Sequence, residues 1–527
     1  MCFMEKMMTR ALLARFYTLA GILAVAGAVE TTGGITGVAM AGANDDVLDI
    51  ASPLEISGLD PAKSGYLFSR MQAAETLFTV NRESQIVPML ATGSQASEDG
   101  LRWEISLRDD VAFHDGTPMT AEIVAADLNR AFERPGVLRQ APITGISASG
   151  NDIVITLSEP FAMLPAFLAH YSTIILAPGS FDDAGEVQTI IGTGAYRVDA
   201  VVPPLRIELS AFDKWWNGRA QIEKVSYLAV SRGETRAMMA QSGDADLVLS
   251  LLPVAVTQLK GNPDVNVTVA TVPRTRLLKL NLAQPFFDET VERQALSLAI
   301  NRKAIAGVVM RNTDLAASQM FPPEIRDWYD ANMPVLDFDP QKARELLADA
   351  GWVAGSDGIL EKDGKRFDVT VRTYASWPDL PLIATALQSQ LRDVGIGLEI
   401  SVGSYTEIPA GHADGTLEAA LVTRSFSMVP DPLATVMEDY GPGGADWGAM
   451  NWHNAEAEDL IADLRKTTDG DARAQMQKKL ADILQAELPT IPLVWSELAM
   501  ASSARLENVR IDPYEQNYYL ADLRWAQ

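Results

Sequence analysis

The sequence predicts an α/β protein of two linked lobes, and three observations carry that expectation. A chain of 527 residues exceeds what one hydrophobic core sustains, roughly 250–300 residues. Strand-like alternation and helix-like stripes follow one another along most of its length. No internal repeat, charge block or low-complexity tether interrupts them. The chain is therefore expected to pass back and forth between lobes.

At the N-terminus Lys6, Arg10 and Arg15 precede FYTLAGILAVAGAV (16–29), an uncharged and mostly apolar run. At about 1.5 Å per residue it is too short for a bilayer core of about 30 Å. Small residues follow at VAMAGA (38–43), completing the basic, apolar and small-residue order of a secretory signal peptide over 1–43. The expected product is a soluble, exported protein. LRWEISLR (101–108) alternates Leu101, Trp103, Ile105 and Leu107 with polar residues, a half-buried strand. Thr120 is positioned to cap a helix over AEIVAADLNRAF (121–132), with Val124, Leu128, Ala131 and Phe132 on one stripe. NDIVITLS (151–158), PLRIELS (204–210) and DVNVTVAT (264–271) read as further strands.

A second region opens near 275. Thr290 is the expected cap of a helix over 291–305, and Asp339, Pro340 and Gly351 bracket another. RFDVTVRT (366–373) and GLEISV (397–402) read as strands around a helix over 380–395, whose stripe is Ile383, Leu387, Leu391 and Val394. EAALV, within 417–432, reads as a buried strand.

Composition narrows function. The formal charge of −26 repels phosphate backbones and disfavours nucleic acid as a partner. Cys2 is the single cysteine, so disulfides, thiolate zinc and thiol catalysis are not expected. His114, His170, His412 and His453 are scattered, with no pair at metal-ligand spacing. HExxH, GxSxG, GxxxxGK and GxGxxG are all absent. No catalytic residue, resident metal or cofactor is expected. A secreted hydrolase using cleft carboxylates stands as the alternative from another functional class.

Several strings in order resemble one family, the extracellular solute-binding proteins, family 5, of peptide, nickel and opine ABC importers. They are ETLFTVNRESQIVPMLATGSQASEDGLRWEISLRDDVAFHDGTPMTAE (75–122), GTGAYRV (192–198), KWWNG (214–218), ETRAMMAQSGDADL (234–247), FDPQKARELLADAGW and LPTIPLVW (488–495). Ala195 stands where the family usually has proline. The resemblance implies a periplasmic-binding-protein fold whose two α/β lobes close on ligand, with an extra subdomain on the first. It places the first lobe at 44–81, 179–274 and 493–527, the subdomain at 82–178 and the second lobe at 275–492. It further implies a periplasmic monomer that hands a small molecule or peptide to membrane permease and ATPase subunits.

The resemblance also points to ligand-facing positions. Dipeptide-binding members carry an Asp three residues before an Asp-Pro, where this chain has Met428; nickel-binding members carry His-Arg where it has Thr423-Arg424. Both anchors of those ligands are thus altered, while an arginine able to fork onto a carboxylate remains. A peptide held by its backbone, an opine-like compound and a metal–chelator complex all stay open. Arg424 is expected either to hold ligand or to form a structural ion pair. Thr423, Ser425 and Phe426 would enter the cleft beside it. Tyr405 and Phe68 fall at pocket positions of the family, Arg139 near a basic ligand contact, and Tyr171 where a second basic contact is usual.

Overall fold

A computed structural model describes residues 46–81, 85–442 and 446–526. The signal-peptide expectation over 1–43 lies outside them. β1 (Val47–Ser52) leads into helix α1 (Pro61–Arg70), where Asp60 accepts from the Ala62 amide and Pro61 holds the first turn. β2 (Phe78–Val80) and β3 (Ile86–Pro88) form a short ribbon. β4 (Ala91–Ala96), β5 (Arg102–Leu107), β6 (Ile143–Ser149) and β7 (Asp152–Leu157) make a separate antiparallel sheet in the order β4-β5-β7-β6. Helix α2 (Ala121–Glu133) lies on it, Asn129 donating to the Ile146 carbonyl at 3.0 Å. Thr120 caps α2 as expected, and β5 buries every second residue.

β8 (Tyr196–Val202), β9 (Arg206–Ala211), β10 (Lys224–Ala229) and β11 (Leu247–Val248) lie on β1's side of the main sheet. β12 (Val265–Leu280) then runs for 16 residues, twice the length of the expected strand. β13 (Val353–Ala354), β14 (Leu360–Lys362) and β15 (Lys365–Arg366) form a small outlying sheet. β16 (Asp368–Tyr374), β17 (Gly397–Gly403) and β18 (Ala419–Ser425) build the other side, and β19 (Thr490–Ser503) returns across.

The main sheet has ten strands in the order β17-β16-β18-β12-β19-β11-β1-β10-β9-β8. Its two halves are the two α/β lobes, and the antiparallel pair β12–β19 joins them. The ladder slips between Val272 and Thr275, so Pro273 and Arg274 have no partner on β19. One apolar core fills the lobe containing β1 and α1. Another runs continuously from Trp103, Ile105 and Leu107 of the four-stranded sheet to Leu277, Phe367 and Leu421 of the opposite lobe.

Two elements depart from expectation. Thr290 is itself the first helical residue, preceded by Glu289, and that helix stops at Leu298. A separate short helix, Arg302–Ile305, is capped by Asn301, whose side chain accepts from the Ala304 amide. The apolar spacing carried the stripe across the break, whereas the cap residue ended the backbone. Asp339, Pro340 and Gly351 act as expected, Gly351 at φ +92°.

Candidate ligand-binding site

Three of the short motifs meet at one carboxylate. Glu75 is 2% exposed and accepts from Trp215 Nε1 at 3.0 Å, Trp216 Nε1 at 2.9 Å and Thr193 Oγ1 at 2.7 Å. Burial pushes its carboxyl up to about 7, with the three donors and Arg108 pulling against it. Arg108 stacks on Trp216 at 4.0 Å and donates to the Met89 carbonyl, tying in the chain after β5. Gly192 and Gly194 explain the neighbouring glycine motif. A Cβ on either would stand 2.2 Å from the Ala73 carbonyl oxygen or 2.0 Å from that of Gln72. The loop after α1 is thereby clamped from behind.

In front of that clamp lies a small polar pocket of about 10 Å³, room for roughly one water, lined among others by Ser69, Gln72, Thr76, Thr79, Gln516 and Asn517. Gln516 also reaches the opposite lobe, donating to the Ser427 carbonyl at 3.0 Å. Glu515, its neighbour, pairs with Arg274 at the slip in β12. The segment 512–519 therefore bridges the lobes at the mouth of this pocket. A second bridge lies at 159–162. The Ala162 amide donates to the Arg465 carbonyl at 2.7 Å, and the Arg465 guanidinium pairs with Glu159 at 2.9 Å beside the Phe161 ring.

The expected ligand residues separate into groups. Arg424 finds its anion within the chain: Nε and Nη2 fork onto the two oxygens of Asp439 at 2.7 and 2.8 Å, with Glu438 at 3.5 Å. Of its two expected roles, the geometry here is the structural ion pair. Phe426 corrects the expectation of a cleft wall. It is 0% exposed and packs on Phe321 at 5.0 Å, because its backbone amide is drawn back to the Pro273 carbonyl. Phe68 is likewise core, 0% exposed on the inner face of α1, so neither ring presents a surface to ligand.

Thr423 and Ser425 pair with Arg276 and Arg274 of β12. The Thr423 hydroxyl is buried without a hydrogen-bond partner, and Ser425 Oγ lies 3.1 Å from Ser427 Oγ. Tyr171 packs edge-on against Tyr66 of α1 at 5.6 Å, where Gly65 allows close approach. Arg139 lies within a 3-10 turn (Val137–Gln140) on the surface, and Tyr405 is 56% exposed. Among the described residues neither shares a hydrogen bond, ion pair or ring contact with the other six. The sequence reading missed Glu75, Gln516 and Arg70. Their signal was weak, since a lone basic residue at a helix end is ordinary.

Among the described residues no group of three or more His, Cys, Asp or Glu could hold a metal ion, and no helix is long and apolar enough to cross a membrane.

A profile described as bacterial extracellular solute-binding proteins, family 5 middle, matches residues 85–447. The glutathione-binding protein GsiB of Escherichia coli K12 is 26% identical over 498 residues, covering 89% of this chain and 93% of that protein. A nickel ABC transporter structure from Bacillus halodurans superposes with a TM-score of 0.77 at 25% identity, over 91% of this chain and all of the other. NikA from Brucella suis, in complex with Fe(III)-EDTA, superposes with a TM-score of 0.82 at 22% identity, over 92% of this chain and all of the other.

Proposed function

The chain belongs to the bacterial extracellular solute-binding proteins of family 5, and from that premise we propose that it captures a small carboxylate-bearing, peptide-like solute for an ABC importer. Substrate-binding proteins of ABC importers are not enzymes, and the hydrolase alternative is not favoured by any of these similarities. The reading places the protein in the periplasm, acting as a monomer, with membrane permease and ATPase subunits as partners.

The observation that carries it is the polar pocket beside the 512–519 bridge. Its lining comes from the first lobe and the 82–178 segment, one lining residue, Gln516, reaches across to the Ser427 carbonyl, and its amides and hydroxyls suit a peptide backbone. The relative named for glutathione favours the same class, over a metal complex held by a histidine that Thr423 replaces. The lobes would be 44–81, 179–274 and 493–527 against 275–492, with 82–178 assigned to the first although its apolar core is continuous with that of the second. Bending at β12–β19 would open the cleft, and ligand would select the closed form.

Native mass spectrometry of protein purified without unfolding tests this directly. A carried-over solute of a few hundred daltons is expected. An added solute at about 100 times its Kd should stabilise the fold by about 2.7 kcal/mol. Catalytic consumption of candidate solutes would overturn the reading.

A further inference from the structure

Arg70, the last residue of α1, is a guanidinium without a counter-ion. It forms no ion pair among the described residues, and its Nε is buried with no hydrogen-bond partner. Two carboxylates reach it electrostatically, and both are committed elsewhere. Glu515 pairs with Arg274, and Asp512 accepts from the Tyr514 amide at 3.0 Å and the Gln516 amide at 2.9 Å. The side chain instead lies over the Tyr66 ring at 5.5 Å, hydrogen-bonds the Tyr518 phenol and stands near that of Tyr171. Tyr518 is fixed there by its amide, which donates to the Arg70 carbonyl at 2.8 Å. Burial disfavours this cation, but the Tyr518 phenol and the field of Glu515 outweigh it, so the guanidinium stays charged with no carboxylate of its own. That lack is notable because the chain has 69 acidic residues against 43 basic ones, and pairs such as Arg424–Asp439 show how readily it supplies others.

We infer that Arg70 anchors a carboxylate of the captured solute, with Tyr66, Tyr171 and Tyr518 forming an aromatic collar around the contact. This rests on the transport reading and refines it. Ser69 and Gln72, the residues flanking this stretch of α1, line the polar pocket, and the 512–519 bridge carries both Tyr518 and the pocket residue Gln516. A solute admitted beside these residues when the lobes part would thus bring an acidic end to Arg70. The planar fork suits two carboxylate oxygens, and the surrounding rings keep water from competing.

The test uses calorimetric titration with glutathione and trialanine, each beside a form with its carboxyls masked (glutathione diethyl ester, trialaninamide). The wild-type protein should bind at least one free acid, tenfold or more tighter than the masked form. Arg70→Gln should weaken that binding at least 30-fold, leave the masked form unchanged, and not lower the melting temperature of the unliganded protein. Arg70→Lys should recover part of the affinity. Equal affinity in Arg70→Gln overturns the assignment, as does equal binding of free and masked forms by the wild type. A fall in unliganded melting temperature with unchanged affinity would make Arg70 structural. Failure of both free acids to bind the wild type also overturns it. The transport reading survives that failure if native mass spectrometry still finds a carried solute, and falls if it finds none.

Discussion

Two arginines with similar neighbours in sequence have opposite situations in space. Arg424 stands beside apolar residues and faces Asp439, itself 1% exposed. Arg424→Ala leaves that carboxylate buried and unpaired, which should cost about 3–5 kcal/mol. The double change Arg424→Met with Asp439→Leu should restore most of it, because removing both charges removes the desolvation penalty. Urea unfolding of the unliganded proteins checks both. Unchanged stability in the single variant would sink the ion-pair account. Spacing in the sequence showed that Arg424 needed an anion but could not say whose, since Asp439 reaches it only through the packing of the helix Leu433–Tyr440. Phe68 and Phe426 failed for a related reason: whether an aromatic walls a pocket or fills the core is decided by tertiary packing, here the inner face of α1 and the hydrogen bond from the Phe426 amide to Pro273. Arg70 was invisible because its distinction is a missing partner, which no motif encodes.

At the scale of elements, local signals were largely legible. Thr120, Asp339 and Gly351 marked helix ends by side-chain chemistry that acts within one turn. The extent of β12 was not legible, because its second half, Thr275 to Leu280, is buried on both sides by β18 and β19 and does not alternate. The bridge between Glu159 and Arg465 joins residues 306 apart in the chain and left no trace in local pattern. That pair is 45% and 28% exposed, so it is worth at most about 1 kcal/mol. Arg465→Ala is therefore expected to weaken ligand binding up to about fivefold, mainly through faster dissociation, without touching the ligand. Stopped-flow release rates check this, and the difference between wild type and variant should shrink as salt is raised. An effect as large at 1 M salt as at low salt would count against a charge-based latch.

For the whole molecule, buried ionisable groups set how stability follows pH, and they oppose one another. Burial holds His114 and His170 down to about 4, below the ordinary 6.5. Their unfolded forms bind more protons between those values, so stability from them is present above pH 6.5 and lost as pH falls toward 4. Glu75, held up to about 7 by burial, and Asp127 and Asp512, each up to about 6, do the reverse. They contribute less as pH rises from about 4 toward 7. Each group is worth about 3 kcal/mol across its window. The wild-type profile should accordingly be shallow between pH 4.5 and 6.5, as read by melting temperature. His114→Gln should make stability fall more steeply as pH rises through that range; Asp127→Asn should tilt it the other way. A steep wild-type slope would mean that one set of groups is not held as described. The slip at Pro273 and Arg274 has a separate consequence for exchange with solvent. Since β12 and β19 pair again beyond it, with a second slip between Arg276 and Leu277, the lobes can swing apart while most of the ladder that joins them stays paired. Deuterium should therefore enter Arg274, which is paired only with Ser425 of β18, before most other β12 amides, so that the cleft breathes on one timescale while its scaffold opens on another, far slower one.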